Sequence, residues 1–400
     1  MNFPRILKKR KGYIDRIKPF MQKSVVKVLT GQRRVGKSFL LYQLIEEILA
    51  KEPDANIIYV NLEDFTFSSL QTAEDLHSYI ISHSKEKAKN YIFIDEIQDI
   101  PGFEKVIRSL LLNEDNDIYI TGSNAKMLSG ELATYLSGRY IEFKIYSLSY
   151  SEFLEFHGLT ESETSYELYS RYGGLPYLLN LPLEDETVNE YLKSVYSTIV
   201  FRDVVSRYKL RNTLFLEKLI QFLSENIGNL FSAKNISDYL KSQHTTISVN
   251  QIQSYTEYLN NAFLIHRVKR YDLIGKRVFE IGEKYYFENM GIRNIVIGYR
   301  ITDKAKILEN LVYNHLLYKG YDIKVGYYGD KEIDFIGEKN GEKLYIQVAL
   351  KIDGDTAERE FGNLLKIQDN YPKIVLTEDT FSGNSYEGIR HCPIRQFLME

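Results

Sequence analysis

Residues 25–38, VVKVLTGQRRVGKS, restrict the fold of this chain more than any other stretch. The apolar run 25–29 has the length and composition of a buried parallel strand. It feeds Gly31-Gln32-Arg33-Arg34-Val35-Gly36-Lys37-Ser38, and the apolar-periodic segment FLLYQLIEEIL follows at once as a helix. Strand, glycine loop ending in Lys-Ser, and helix together make the phosphate-binding pattern G-x-x-x-x-G-K-[ST] in the context that it requires. Gly31 and Gly36 let the backbone turn so that successive N–H groups face phosphate oxygens, and the helix N-terminus adds its positive end. The contacts to a nucleotide are expected from Gly31, Arg33, Arg34, Val35, Gly36, Lys37, Ser38 and Phe39. Lys37 is expected on the β- and γ-phosphates and the Ser38 hydroxyl on Mg²⁺.

A second apolar strand, NIIYVNL (56–62), leads through a polar helical stretch near 72–86 to Tyr91-Ile92-Phe93-Ile94-Asp95-Glu96. A central strand that ends in two acids would deliver them to the phosphate site. Asp95 is placed to order the Mg²⁺ shell and Glu96 to polarise an attacking water. The additional strand, lying in the chain between the P-loop strand and the acidic one, belongs with ATPases that use a catalytic glutamate rather than with kinase-like folds. A helix at 101–112 and a strand at 117–121 follow, ending in Gly122-Ser123-Asn124, where a polar side chain would lie beside the γ-phosphate. A helix at 125–136 then runs into Ser137-Gly138-Arg139-Tyr140 and the strand IEFKIYSL. Arg139 has two readings: a charge that completes the clamp on a neighbouring subunit's γ-phosphate, making a homo-oligomer, or a structural arginine at a helix end.

Four hundred residues predict roughly two to three domains with sizeable cores. Hydrophobic residues at 44% and charged residues at 26% are those of a soluble globular chain, with no membrane-spanning run and no signal-like apolar stretch. A single cysteine, Cys392, excludes an internal disulfide and fits a reducing cytoplasm. Net charge is −3, but residues 1–37 hold twelve Lys and Arg against one acid, Asp15. That cluster could contact nucleic acid or phosphate; a solvated lead-in is the plainer reading.

Residues 147–212 read as mainly helical and are interrupted by Arg171-Tyr172-Gly173-Gly174-Leu175-Pro176. From 213 the pattern is helix, short helix, a longer helix over 246–261, then two strands flanking Ile274-Gly275-Lys276. This is the outline of a winged helix-turn-helix. His266, Arg267, Lys269, Arg270, Lys276 and Arg277 on the wing suit phosphate contact, whereas the recognition-type helix carries no Lys or Arg, as in winged helices that bind proteins. In 291–400, a helix with Glu309, a strand with Asp334 and a following strand KLYIQVAL outline a PD-(D/E)XK nuclease fold. Gln347 stands where its second acid belongs and Ala349 where its lysine belongs, with Lys351 one residue pair late. Without that acid and lysine, hydrolysis should fail.

GQRRVGKS, IFIDEIQ, ITGSNA, LSGRY, LSYSEFLEF and RYGGLPYLL, in this order, resemble a prokaryotic AAA+-type ATPase family usually called "ATP-binding protein". The resemblance implies an ATPase core at 1–146, a helical lid at 147–212, a winged helix at 213–290 and a degenerate nuclease-like domain at 291–400. It also implies adenine as the base, Ser123 and Asn124 as sensor 1, and Arg139 as the arginine finger. Phe201-Arg202-Asp203-Val204 and Arg207-Tyr208 match a family motif of unknown role, and Arg171 has two readings, a second sensor or a surface arginine. The function expected is Mg²⁺-dependent ATP hydrolysis that couples nucleotide state to a DNA or protein partner. A slow nucleotide-dependent switch or scaffold is the alternative, and a DNA-processing enzyme the third.

Overall fold

Short runs of Val, Ile, Tyr and Phe, each closed by polar or glycine residues, build the first sheet. They are β1 (Val26–Thr30), β2 (Asn56–Asn61), β3 (Asn90–Asp95), β4 (Asn116–Gly122) and β5 (Tyr140–Lys144). The computed structural model describes residues 8–128, 136, 138–242, 247–329, 331–352, 354–378 and 385–400, without the side chains of 277–281 and 354–359. Its backbone divides into two compact units, Met1–Ile145 with Asn261–Phe263, and Tyr146–Asn260 with Leu264–Glu400.

In the first unit the sheet order is β2-β3-β4-β1-β5, with every neighbouring pair parallel. Every residue of β1, β3 and β4 is buried, as expected of parallel strands covered on both faces. Helices α1 (Lys11–Ile17), α2 (Lys37–Leu49), α3 (Ala73–His83) and α4 (Phe103–Leu110) accompany it. Leu76 and Ile80 of α3 join Val106 and Ile107 of α4 in one core with Val28, Ile58, Val60, Ile92, Ile94 and Ile120. Spatial order departs from chain order: β2 lies outside β3, and β4 takes the place between the P-loop strand and the acidic strand. Of the helix expected at 125–136, Ala125–Leu128 form a 3-10 turn, and 129–135 and 137 lie outside the described residues.

A charge pair is buried at the start of this sheet. Lys27 of β1 and Asp117 of β4 are both fully buried and ion-paired to each other. Asp117 Oδ2 also accepts from Tyr119 OH and the Gln22 backbone N–H, each at 2.8 Å. Lys27→Met strands that carboxylate in the core and is expected to cost about 3–5 kcal/mol in urea unfolding, whereas pairing it with Asp117→Leu should return much of the loss. An unchanged midpoint in the single variant would remove the pair from the account of stability.

The second unit begins helical, with α5 (Tyr150–His157), α6 (Glu163–Tyr172) and α7 (Asp185–Thr198). The α7 chain continues as a π-helix over Ile199–Ser206, so Phe201-Arg202-Asp203-Val204 occupies a π segment, a form that concentrates at functional positions. Next come α8 (Thr213–Glu225), α9 (Ala233–Ser242) and α10 (Val249–Asn261), then the antiparallel pair β6 (Ile265–Asp272) and β7 (Arg277–Phe287). Two further helices, α11 (Met290–Ile297) and α12 (Lys304–Tyr318), precede β8 (Asp322–Tyr328), β9 (Lys331–Lys339) and β10 (Glu342–Ala349). The chain closes with α13 (Gly354–Leu365), β11 (Lys373–Thr377), β12 (Ser385–Tyr386), β13 (Ile389–Pro393) and α14 (Ile394–Phe397).

The eight strands β6–β13 form one sheet, ordered β12-β13-β11-β10-β9-β8-β6-β7. β6 pairs in parallel with β8 through Arg270↔Val325 to Asp272↔Tyr327. Strands on both sides of the expected boundary at 290 therefore share a sheet, because β6 has a free edge that β8 satisfies. Several hairpin charges are engaged. His266 Nε2 lies 2.6 Å from Glu288 Oε2, Arg267 pairs with Glu283 at 3.6 Å, and the Arg270 guanidinium stacks 3.7 Å over Tyr327. Among the described residues, no helix is long and apolar enough to cross a membrane.

Candidate active site

Parallel strands release their carboxyl ends at one edge, where α/β sheets form their sites. The register Thr30↔Gly122 and Ile94↔Ile120 sets the ends of β1, β3 and β4 side by side there. Gly31 follows β1 at φ +152, and a Cβ on it would meet Ile145 O at 2.1 Å, so no larger residue fits. Gly36 caps α2 at φ +94, in the left-handed region that glycine tolerates. Arg34 also has positive φ, 71°, with an exposed side chain; Val35 is buried and Phe39 is 45% exposed. The loop is braced from the amino-terminal basic cluster, where the buried Arg10 donates from NH1 to Val35 O at 3.2 Å.

Lys37 is buried, with Nζ donating to Gly31 O at 3.0 Å and Gln32 O at 3.1 Å and lying 3.7 Å from Glu96 Oε1. The Ser38 hydroxyl faces the Asp95 carboxylate and works to lower its pKa. Thr121 Oγ1 donates to Asp95 Oδ1 at 2.5 Å and accepts the Glu96 N–H at 2.9 Å, fixing both acids from the neighbouring strand. Tyr59 OH reaches Asp95 Oδ2 at 3.3 Å. Burial raises the Asp95 pKa above the usual carboxylate value. Burial also works against ionised Glu96, but the Lys37 ammonium, the Gln98 amide and the Arg33 guanidinium outweigh it and hold its pKa low. Glu96 sits in the left-handed region at φ 56, ψ 45, a strained backbone of the kind that clusters at active sites. The donor set of Ser38 hydroxyl and Asp95 carboxylate consists of hard oxygens and fits Mg²⁺. The glycine-lined turn with Lys37 at its centre fits a triphosphate.

The Ser123 hydroxyl faces Glu96 and helps keep it ionised, at a geometry too poor for a formed hydrogen bond. Asn124 Oδ1 instead accepts Lys126 N–H at 2.7 Å and shapes its own turn. Arg139 is exposed and stands at the far end of the sheet, since Tyr140 pairs with Val26 at the start of β1.

Residues 23–154 match a family model described as an AAA domain, and residues 163–303 one described as a domain of unknown function (DUF8612). An "Uncharacterized protein" of Haemophilus influenzae is 38% identical, covering 98% of this chain and 98% of its own length. "Uncharacterized protein MJ1544" of Methanocaldococcus jannaschii is 31% identical, covering 84% of this chain and 77% of its own length. The chain belongs to this family of AAA-domain proteins. The Walker-type ATPase PabY2304 of Pyrococcus abyssi, 15% identical, shares the fold at a TM-score of 0.50, covering 73% of this chain and 96% of that one.

In this AAA-domain protein several site partners carry no sequence signature. Thr121 reads as a β-branched core residue, and Gln98 as one more polar residue after the acids, yet its Nε2 donates to Glu96 Oε2 at 2.5 Å. Arg33 binds Glu63 Oε1 at 2.9 Å across thirty positions. In the second unit, Arg171 is ion-paired with Asp185. Glu309 lies on α12, Asp334 on β9, and Gln347 and Ala349 on β10, whereas Lys351 falls beyond that strand.

Proposed function

We propose that this AAA-domain protein binds ATP with Mg²⁺ and hydrolyses it. The observation that carries the reading is the pairing of a buried, ionised Glu96 with Lys37 at the mouth of the glycine loop, while Asp95 is held by Thr121 and faces the Ser38 hydroxyl. Backbone N–H groups from Arg33 to Phe39 bind the phosphates, and Lys37 moves from its loop carbonyls onto phosphate oxygens. Ser38 and Asp95 would hold Mg²⁺, which would supply neutralisation of charge on those oxygens. Glu96 orients the attacking water and takes its proton. Ser123 stands nearest to a sensing role; Asn124 supports the turn behind it.

Nucleotide state in turn governs a partner of the second unit. A protein partner is favoured over DNA. His266, Arg267 and Arg270 already have partners within the chain, and α10 carries no Lys or Arg, which leaves few charges for phosphate contact. Lys37→Ala is expected to weaken ATP binding at least ~30-fold, the effect of removing a buried charge contact, read by titration with a fluorescent ATP analogue. Parental affinity in that variant would overturn the site. Phosphate release with and without duplex DNA separates the partner classes: a large DNA stimulation that fades with salt would reverse the preference for protein.

A further inference from the structure

Three acids of the second unit converge on one cation, and that cation is a side chain. Lys284 of β7 places Nζ 2.9 Å from Glu309 Oε1, 2.7 Å from Glu332 Oε1 and 3.9 Å from Asp334 Oδ1. The lysine is buried, with 3% of its surface exposed. Burial works to lower its pKa, but the charges of Glu309, Asp334 and Glu332 together raise it above the ordinary lysine value. Tyr286 OH donates to the same Glu309 oxygen at 2.5 Å, and Val348 N–H to Asp334 Oδ2 at 2.7 Å. Three carboxylates against one ammonium leave surplus negative charge. Asp334 registers it, because burial and then Glu309 push its pKa well above the carboxylate range.

A neutral oxygen is also held in reserve. The β9–β10 pairing runs Tyr345↔Ile336 and Ile346↔Phe335, so its next step sets Gln347 opposite Asp334 on the same face. Gln347 is 9% exposed, and its Oε1 is buried without a hydrogen-bond partner. Three carboxylates, with a buried amide oxygen on the strand next to Asp334, are hard oxygens of the kind a divalent ion takes.

We propose that Glu309, Glu332, Asp334 and Gln347 form a divalent-cation site that the chain fills from within, with Lys284 Nζ in the position of the ion. Among the described residues no group of His, Cys, Asp or Glu is disposed to hold a metal as the chain stands. That is the state expected while the ammonium spaces the acids. The tether also explains why β7, α12 and β9 are joined by charge at this point. Removing the ammonium leaves surplus carboxylates that a divalent cation can relieve in competition with protons, and Mn²⁺ is the probe of suitable size and hardness.

Titrating Mn²⁺ into the nucleotide-free full chain, followed by its electron paramagnetic resonance, tests this. Lys284→Ala is expected to gain one Mn²⁺ per chain over the parent, bound at least about tenfold tighter than any parental site. Lys284→Ala/Asp334→Asn should lose it. The nucleotide-site oxygens are common to all three proteins and cancel in the comparison. If Lys284→Ala melts lower than the parent, millimolar Mn²⁺ should raise its melting temperature and leave the parent's unchanged. An Asp334-dependent Mn²⁺ site in the parent would overturn the proposal. A Lys284→Ala chain that neither binds Mn²⁺ nor is stabilised by it, or that fails to fold in its presence, would do the same.

Discussion

Glu96→Gln is expected to bind ATP as the parent does and to hydrolyse it roughly 10²–10⁴-fold more slowly, the usual contribution of a general base. The amide keeps the volume of the carboxylate and can still accept from Gln98, whose Nε2 lies 2.5 Å from Glu96 Oε2. What it loses is the charge that draws a proton from water. That charge is maintained at some cost: the side chain is buried, and Lys37, Gln98, Arg33 and Ser123 together keep it ionised. Phosphate contacts come from the loop backbone and Lys37, so removing one negative charge 3.7 Å from Lys37 Nζ should not weaken binding. Single-turnover hydrolysis with saturating enzyme reads the chemical step without interference from product release. Parental turnover in this variant would remove Glu96 from catalysis and turn attention to Asp95, which Thr121 holds in place.

The residues that carry this chemistry were legible because each sits in a local pattern. Gly31, Gly36, Lys37 and Ser38 are fixed by spacing within one loop, and Asp95-Glu96 by four apolar residues before them. Their supports were not legible, because register rather than local pattern chooses them. Thr121 reaches Asp95 only because β4 intervenes between β1 and β3, whereas chain order placed β2 there. Arg33 finds Glu63 across thirty positions that include α2 and β2, a pairing that no local signal specifies. Lys284 carries no local signature of its role. Its burial depends on Glu309, Glu332 and Asp334, which come from a helix and a strand later in the chain. The expected division at 290 met the same limit, since a hairpin pattern does not reveal that β6 will lend its free edge to β8. Strand existence is a local property and strand partnership is not.

Arg139→Ala is expected to lower ATP turnover by about 10³-fold or more, the magnitude of an arginine that completes a phosphoryl-transfer site, and to do so through a neighbouring copy of the chain. The register rules out the loop of its own chain. β5 runs parallel to β1 from Val26↔Tyr140 to Thr30↔Lys144, and Arg139 O accepts the Val26 N–H at 3.0 Å. Arg139 therefore stands at the start of β1, whereas Gly31 follows its end. Five residues of strand separate them by about 16 Å, farther than an arginine side chain extends. The exposed guanidinium cannot serve the loop of its own chain and is free to serve another's. Turnover per chain should accordingly rise with protein concentration. Mixing settles the geometry: Arg139→Ala has an intact loop without the arginine, and Lys37→Ala has the arginine beside a dead loop. Combined, the two should recover part of the turnover that each lacks alone. A mixture no more active than its parts, together with parental activity in Arg139→Ala, would make Arg139 a helix-end residue and this chain a hydrolase that works as a monomer.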